Sequence, residues 1–395
     1  MTTSSFLKLA GGGEVRFDFQ PPPAPTGAPS LAYQLLDPAG LPVAPEVTVF
    51  TQLLGVDTAS RVDSFNAAPL PGGGFVLAYE ERDSSPIFGT TTEALHALVV
   101  DAHGVIHDDV FLRAGAGPSD GTPVAAPGVF GLSGDGFGLV YEKHDGALVT
   151  EHFALATPTH DFVDIALPGA PNSVSTADGV LTLGFSNGSR LLAGGEVSAT
   201  LTGGAGADWL VAGSHGDVIR GGDGDDRIQG GAGFDNINGD KGGDIIDGGS
   251  GGGDFLVGGQ GDDLINSHAG DDVLYGNLGD DTLNGGAGDE ILRGGQDNDV
   301  LNGGAGNDWL SGDRGSDTVA GGAGADIFHS FGDAGIDVIT DFNAAEGDRV
   351  LLDAGSIYTV VQAGDDVIIN VGDTGEVILK SVQLSTLPTD FIFLA

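Results

Sequence analysis

The chain has 395 residues, no cysteine, a net charge of −43 and glycine at 71 positions. The missing cysteines exclude a disulfide framework and thiolate metal sites. The charge disfavours nucleic acid and anionic membrane surfaces as partners and favours cations, while no apolar run of about 20 residues is present to cross a membrane.

The N-terminal stretch MTTSSFLKLAGGGEVRFDFQ (1–20) lacks the apolar centre of a cleaved signal peptide. Residues 1–195 read as all-β, with short apolar stretches alternating with Gly, Pro and Asp turns and no amphipathic helix. A weak repeat runs through them. GGGFVLAYEERD (72–83) matches GDGFGLVYEKHD (134–145), with ADGVLTLGF (177–185) and GGGEVRF (11–17) as degraded copies. LLDPAG (35–40) likewise matches VVDAHG (99–104). Such hairpin-like units predict a small propeller or a β-sandwich. PPPAPTGAPS (21–30) reads as a stiff loop or arm.

Three features here invite a catalytic reading, and none carries it. Gly184-Phe185-Ser186-Asn187-Gly188 has the spacing of a nucleophile elbow, which needs a strand, a sharp turn and a helix. The following SRLLAGGEV is too short and glycine-broken for that helix, and Asn187-Gly188 is a hairpin-turn signal. His103 and His107 are spaced as a helical metal pair, but Gly104 and the LLDPAG copy point to a turn between strands. Glu80 and Glu142 occupy matching repeat positions, where symmetry-related strand residues explain them without a glycosidase carboxylate pair. No catalytic residue is assigned.

From Gly203 the pattern changes to G-G-x-G-x-D-x-U-x, with U a large apolar residue, for fourteen units ending at His329. Clear copies are GGAGADWLV (203–211), GGDGDDRIQ (221–229), GGQGDDLIN (258–266) and GGAGNDWLS (303–311). The sixth unit, GGSGGGDFLV (248–257), has one extra glycine, and the eighth, SHAGDDVLY, has lost its leading glycines. The sixth position carries Asp208, Asp217, Asp226, Asp235, Asp244, Asp254, Asp263, Asp272, Asp281, Glu290, Asp299, Asp308, Asp317 and Asp326. The eighth is apolar in every unit, from Leu210 to Phe328. A disordered glycine-rich linker predicts no such register.

These positions have separate physical roles. Glycine takes positive φ cheaply and lets main-chain carbonyls approach a cation. Aspartate adds a hard carboxylate oxygen, and calcium takes six to eight such oxygens. One unit cannot bury its apolar residue alone, so stacked copies form two parallel sheets with the eighth-position residues between them. Two units complete one circuit, and calcium fits between unit i and unit i+2. Residues 203–329 hold 24 acidic and 5 basic residues, a net of −19. Without divalent cations this charge repels itself and the segment is expected to be disordered. With calcium, binding free energy becomes folding free energy. At a dissociation constant of roughly 0.1–1 mM, each site in about 100-fold excess calcium adds about 2.7 kcal/mol. About twelve inter-unit sites follow if every i, i+2 pair binds.

The nonapeptide closely resembles that of the RTX (repeats-in-toxin) family over 203–342, with ADIFHSFGDAGIDVITDF (325–342) similar to the family's C-terminal cap. The resemblance implies a right-handed parallel β-roll with several bound calcium ions. It implies bacterial export unfolded through a type I secretion apparatus, which reads an uncleaved C-terminal signal. The ending DFIFLA fits that signal. Low cytosolic calcium would keep the roll unfolded until export. The family's zinc protease is not expected, because H-E-x-x-H is absent.

Three domains are expected: a β-rich domain (1–195), the calcium roll (203–329), and a β-strand cap (330–395) with strands such as DDVIINV (365–371) and GEVILKSV (375–382). Even-numbered units carry an apolar seventh position, Val218, Phe255, Val273, Ile291, Trp309 and Ile327, broken by Asn236. Side chains alternate along a strand, so this stripe faces outward, against flanking domains or a partner chain. The functional expectation is a secreted, non-enzymatic calcium-binding protein that adheres or binds at the cell surface or in the matrix. The alternatives are self-association into a surface layer or filament, and a hydrolase with an unrecognised site in 1–195.

Overall fold

In the computed structural model, residues 3–9, 13–20, 30–43, 47–48, 60–70, 74–83, 92–100, 106–116, 128–131, 137–145, 148–156, 162–167, 171, 173–177, 180–194, 198–332 and 334–395 are described. They form strands throughout, apart from one short 3₁₀ turn at Leu384–Thr386. The chain divides into two compact units, one of residues 1–172 and 176–181 and the other of residues 173–175 and 182–395.

The first unit is a series of antiparallel meanders. β1 (Thr3–Lys8), β2 (Glu14–Gln20), β3 (Ser30–Leu36) and β4 (Val47–Thr48) form one sheet in chain order. The next contains β5 (Ser60–Pro69), β6 (Phe75–Asp83), β7 (Thr92–Val100) and β8 (Ile106–Ala116). The third contains β9 (Gly128–Gly131), β10 (Phe137–Asp145), β11 (Leu148–Ala156) and β12 (Phe162–Ala166). β13 (Ser173–Ala177), β14 (Val180–Gly184) and β15 (Arg190–Ala193) instead stand in chain order at one end of a fourteen-stranded sheet, with β15 wholly in the second unit. The weak sequence repeat coincides with the second strand each time: β2, β6, β10 and β14.

Alternation along β6 explains the stacking. Phe75, Leu77 and Tyr79 face Val15, Phe17, Leu31 and Tyr33 of the first meander, with Phe17 and Tyr33 edge-on to Phe75 at ring separations of 5.6 and 5.2 Å. Val76 and Ala78 face Val129, Phe137, Leu139 and Tyr141 of the third. The middle meander is therefore buried on both faces. Three layers result, stacked as propeller blades stack, rather than the two sheets of a sandwich.

From Arg190 the chain becomes a parallel coil whose strands alternate between a fourteen-stranded and a ten-stranded sheet. Each strand pairs in register with the strand two units later, as in Leu283↔Leu301 and Leu274↔Leu292. Every eighth-position residue from Leu210 to Phe328 is at most 4% exposed, which makes this single column per sheet the core. The turns pack too closely for side chains. A Cβ at Gly304, where φ is +115°, would lie 2.9 Å from the carbonyl carbon of Gly286. Where glycine is replaced at a left-handed turn position the substitute is mostly Asp or Asn, at Asp240, Asn277, Asp297 and Asp313, with His268 as the exception.

The cap continues the coil. Ile336–Ile339 and Gly375–Leu379 extend the larger sheet in parallel, and a hairpin of Asp366–Val371 and Tyr358–Ala363 ends it. Arg349–Leu352 and Ile392–Leu394 end the smaller sheet. The column of core residues makes a direct prediction. Leu274→Ala removes a fully buried side chain and is expected to cost about 2–5 kcal/mol, lowering the calcium-loaded melting temperature. Thr282→Ala, on the outer face, should move it by less than about 0.5 kcal/mol equivalent.

Candidate calcium row

Each six-residue turn delivers its sixth-position acid to the edge of the roll, between its own turn and the turns stacked on either side. All fourteen acids are buried, at 3% exposure or less. One oxygen is held by the fold. Oδ1 of Asp226 accepts the Asp208 backbone N–H at 2.8 Å, Asp281 that of Asp263 at 2.8 Å, and Asp326 that of Asp308 at 2.9 Å. The other is not. From Asp208 to Asp326, Oδ2 (or both oxygens of Glu290) has no hydrogen-bond donor in every unit except that of Asp217, whose Oδ2 takes the Gly213 N–H at 3.4 Å.

The first glycine of the unit leaves the space beside that free oxygen. A Cβ built at Gly230 would lie 2.5 Å from the Gly248 carbonyl oxygen and 2.6 Å from Asp235 Oδ2. At Gly239 it would lie 2.6 Å from the Gly258 carbonyl and also meet Asp244 Oδ2. A carboxylate oxygen and a carbonyl oxygen from the turn two units on thus converge on one cradle. No three His, Asp or Glu side chains cluster as a metal site among the described residues. That suits a hard cation ligated largely by main-chain oxygens, and not zinc.

Electrostatics demand a cation there. Among the described residues, the single ion pair to a sixth-position carboxylate is Arg190 with Asp208, at 3.7 Å. Lys241 and Arg293 pair instead with the outer Asp223 and Asp313. Burial, offset in part by the backbone N–H and reinforced by neighbouring acids, pushes Asp263 and Asp299 up to about 8 and Asp226, Asp235 and Asp281 up to about 7. The acids fit calcium, which would supply the missing positive charge at Oδ2.

The row is longer than the fourteen units. Asp337 lies in register beyond Asp317, through Thr318↔Val338, and is 4% exposed with Oδ1 unpartnered. Its signal was present, because GDAGIDVIT (332–340) keeps Gly332, Gly335, Asp337 and Ile339 in nonapeptide positions. Asp348 follows Asp326, accepting its N–H at 3.0 Å, but the chain before it has no nonapeptide glycines to reveal it. Its other oxygen takes the Asn343 N–H at 2.7 Å, closing that end. The other candidates stand apart. Ser186 is exposed at the tip of a turn closed by Gly188 N–H to Phe185 carbonyl at 3.2 Å, and strand β15 follows it rather than a helix. His107 lies in β8, His103 falls outside the described residues, and Glu80 and Glu142 lie on β6 and β10.

These geometries define a calcium-type parallel β-roll. The family model of the RTX calcium-binding nonapeptide repeat matches overlapping segments from residue 194 to residue 339. That stretch therefore consists of RTX-type nonapeptide repeats, which bind calcium, several ions to a chain. Among solved structures, the extracellular lipase LipA of Serratia marcescens is 21% identical, over 48% of this chain and 40% of the lipase, with a TM-score of 0.21. The AlgE6R3 subunit of the Azotobacter vinelandii mannuronan C5-epimerase is 24% identical, over 34% of this chain and 80% of that subunit, with a TM-score of 0.24. This chain thus spans well under two thirds of the lipase. No curated protein matches it in sequence.

Protons and calcium compete for the free oxygens. In the metal-free fold these acids have raised pKa values, so the folded form binds more protons than the unfolded chain between about pH 4 and pH 8. Metal-free stability is therefore greatest below about pH 4 and is lost as pH rises through about 6–8. Calcium displaces those protons. Because calcium and protons stabilise the same fold, the calcium concentration at half-folding, followed by far-UV circular dichroism, should hold level or rise between pH 6 and pH 8. A midpoint that falls with pH would contradict this.

Proposed function

We propose that this chain is an extracellular protein whose roll folds on calcium after export, leaving the β-rich N-terminal domain (1–195) to bind or adhere without catalysis at a cell surface or in a matrix. The observation that carries the reading is the row of buried carboxylate oxygens with no donor from the chain. A fold that leaves so many charges unpaired is stable only where calcium is abundant, which is outside the cell. The same row keeps the chain extended where calcium is scarce, as passage through a type I apparatus requires. The C-terminal cap (330–395) carries the signal for that apparatus. The absence of cysteine and the net charge of −43 accord with a chain exported unfolded.

A second reading, self-association, draws on the outer face of the ten-stranded sheet. Val218, Asn236, Phe255, Val273, Ile291, Trp309 and Ile327 stand in one register column there. Val218 and Ile291 are 43% and 41% exposed, and Phe255 meets Tyr275 edge-on at 5.6 Å.

Limited proteolysis of the full chain tests the first reading. Residues 203–329 should be cut rapidly in chelator and protected in millimolar calcium, with β-structure rising in parallel. Equal protection in both conditions would sink it. Static light scattering during the same calcium titration decides the second. A monomer throughout rejects assembly, and calcium-reversible growth supports it.

A further inference from the structure

The two edges of the roll are not equivalent. Turns of odd-numbered units lie on one edge and those of even-numbered units on the other, because two units complete a circuit. On the odd edge every first position is glycine, at Gly203, Gly221, Gly239, Gly258, Gly276, Gly294 and Gly312, and every sixth is aspartate. The departures in the first and sixth positions all lie on the even edge, at Ala212, Ser267 and Glu290, as does the extra glycine of 248–257, whereas the odd-edge replacements, Asp240, Asn277, Asp297 and Asp313, fall only at the second or fourth position.

Ser267 does more than depart from consensus. It is fully buried, and its hydroxyl donates to the Gly285 carbonyl at 2.5 Å. In a regular unit that carbonyl and the sixth-position carboxylate converge on the cradle left by the first glycine. In unit 8 the serine side chain stands in this cradle, and its proton occupies the carbonyl lone pair a cation would use. Directly opposite, Glu290 is one methylene too long for its place. Along the roll each sixth-position N–H meets the acid two units on. Asp254 N–H reaches Asp272 at 2.6 Å and Glu290 N–H reaches Asp308 at 2.9 Å. Between Asp272 and Glu290 no such bond forms, although the sheet itself continues through Ile291 N–H to Asp272 carbonyl at 2.8 Å. A hydroxyl filling the cradle and a missing rung fall at the same place.

We propose that the odd edge carries an unbroken calcium row, while the even edge holds a metal-free break between units 8 and 10, closed by the Ser267 hydroxyl. The proposal rests on the calcium reading of the repeats and adds which positions bind. The break divides the even row into two shorter blocks, so the edges load differently. Odd-edge sites share acids continuously and load as one cooperative series. Even-edge sites on either side of the break load independently.

Equilibrium dialysis of the full chain against radiolabelled calcium counts the ions bound. Asp272→Asn keeps the acceptor for the Asp254 N–H and should leave the count unchanged. The odd-edge equivalent, Asp281→Asn, should lose at least one ion. The double variant Ser267→Gly/Glu290→Asp, which restores the pattern, should gain one. Equal losses from Asp272→Asn and Asp281→Asn would overturn the edge assignment, as would an unchanged count in the double variant. If circular dichroism in saturating calcium shows Asp281→Asn unfolded, Asp263→Asn on the same edge replaces it. A wild-type chain that takes up no calcium would remove the underlying calcium reading instead.

Discussion

One carboxylate, divided between two tasks, sets the terms for the roll. Its Oδ1 is tied to the backbone N–H of the turn two units before, as in Asp226 to Asp208. Its Oδ2 is left bare beside the cradle of the first glycine. The first task fixes the spacing of the turns. The second makes the stack unstable unless a cation fills the gap. A buried acid with one satisfied oxygen and one free oxygen is costly, and here the cost recurs in every unit. A single ion relieves it for two turns at once, because its ligands come from both. Metal binding and stacking are thus one event.

The hydrophobic core alone could not hold the stack. Each unit contributes one fully buried large residue, such as Ile246 or Leu283, worth about 1.5–3 kcal/mol. Ordering nine residues, several of them glycine, costs about 1–2 kcal/mol per residue in backbone entropy. The ladder hydrogen bonds offset part of that, and the rest falls to the ions. This is why the roll tolerates so few apolar residues per unit and so many glycines. The N-terminal unit reverses the balance. Its middle meander buries both faces, with Phe75, Leu77, Tyr79 and Leu98 fully inside. Its described core is apolar on both faces, so the two units draw on different sources of stability in one chain.

Much of this was legible in the sequence, for a physical reason. In a solenoid each contact is made between residues at a fixed separation, so register along the chain is register in space. Asp244 and Asp263 are neighbours because their units are, and the eighth-position column follows in the same way. Legibility failed where contacts stop being periodic. Asp348 joins the row through a longer excursion containing Asn343, and no repeated glycines mark it. Asp337 sits between these cases, visible through Gly335 and Ile339 once the coil is known to continue. In residues 1–195 the second strand of each meander repeats, but which faces pack depends on non-local contacts such as Phe17 on Phe75. Those have no fixed spacing to read. The Ser186 pattern is the opposite failure: a motif without the strand-turn-helix context that gives it meaning.

The ends of the row explain how it stops. A calcium site needs a turn on each side, so the terminal carboxylates must be satisfied by the chain itself or be left exposed. At the start, Asp208 has the Arg190 guanidinium at 3.7 Å, and Asp217 takes N–H groups from Ala199 and Gly213. At the far end Asp348 takes those of Asp326 and Asn343. Fixed donors replace the ion where no further turn exists to complete its shell. Ser267 applies the same substitution inside the row, with a neutral hydroxyl in the cradle. The even edge therefore contains in its middle what both edges have at their start: a place where the chain supplies its own partner and the ion series terminates.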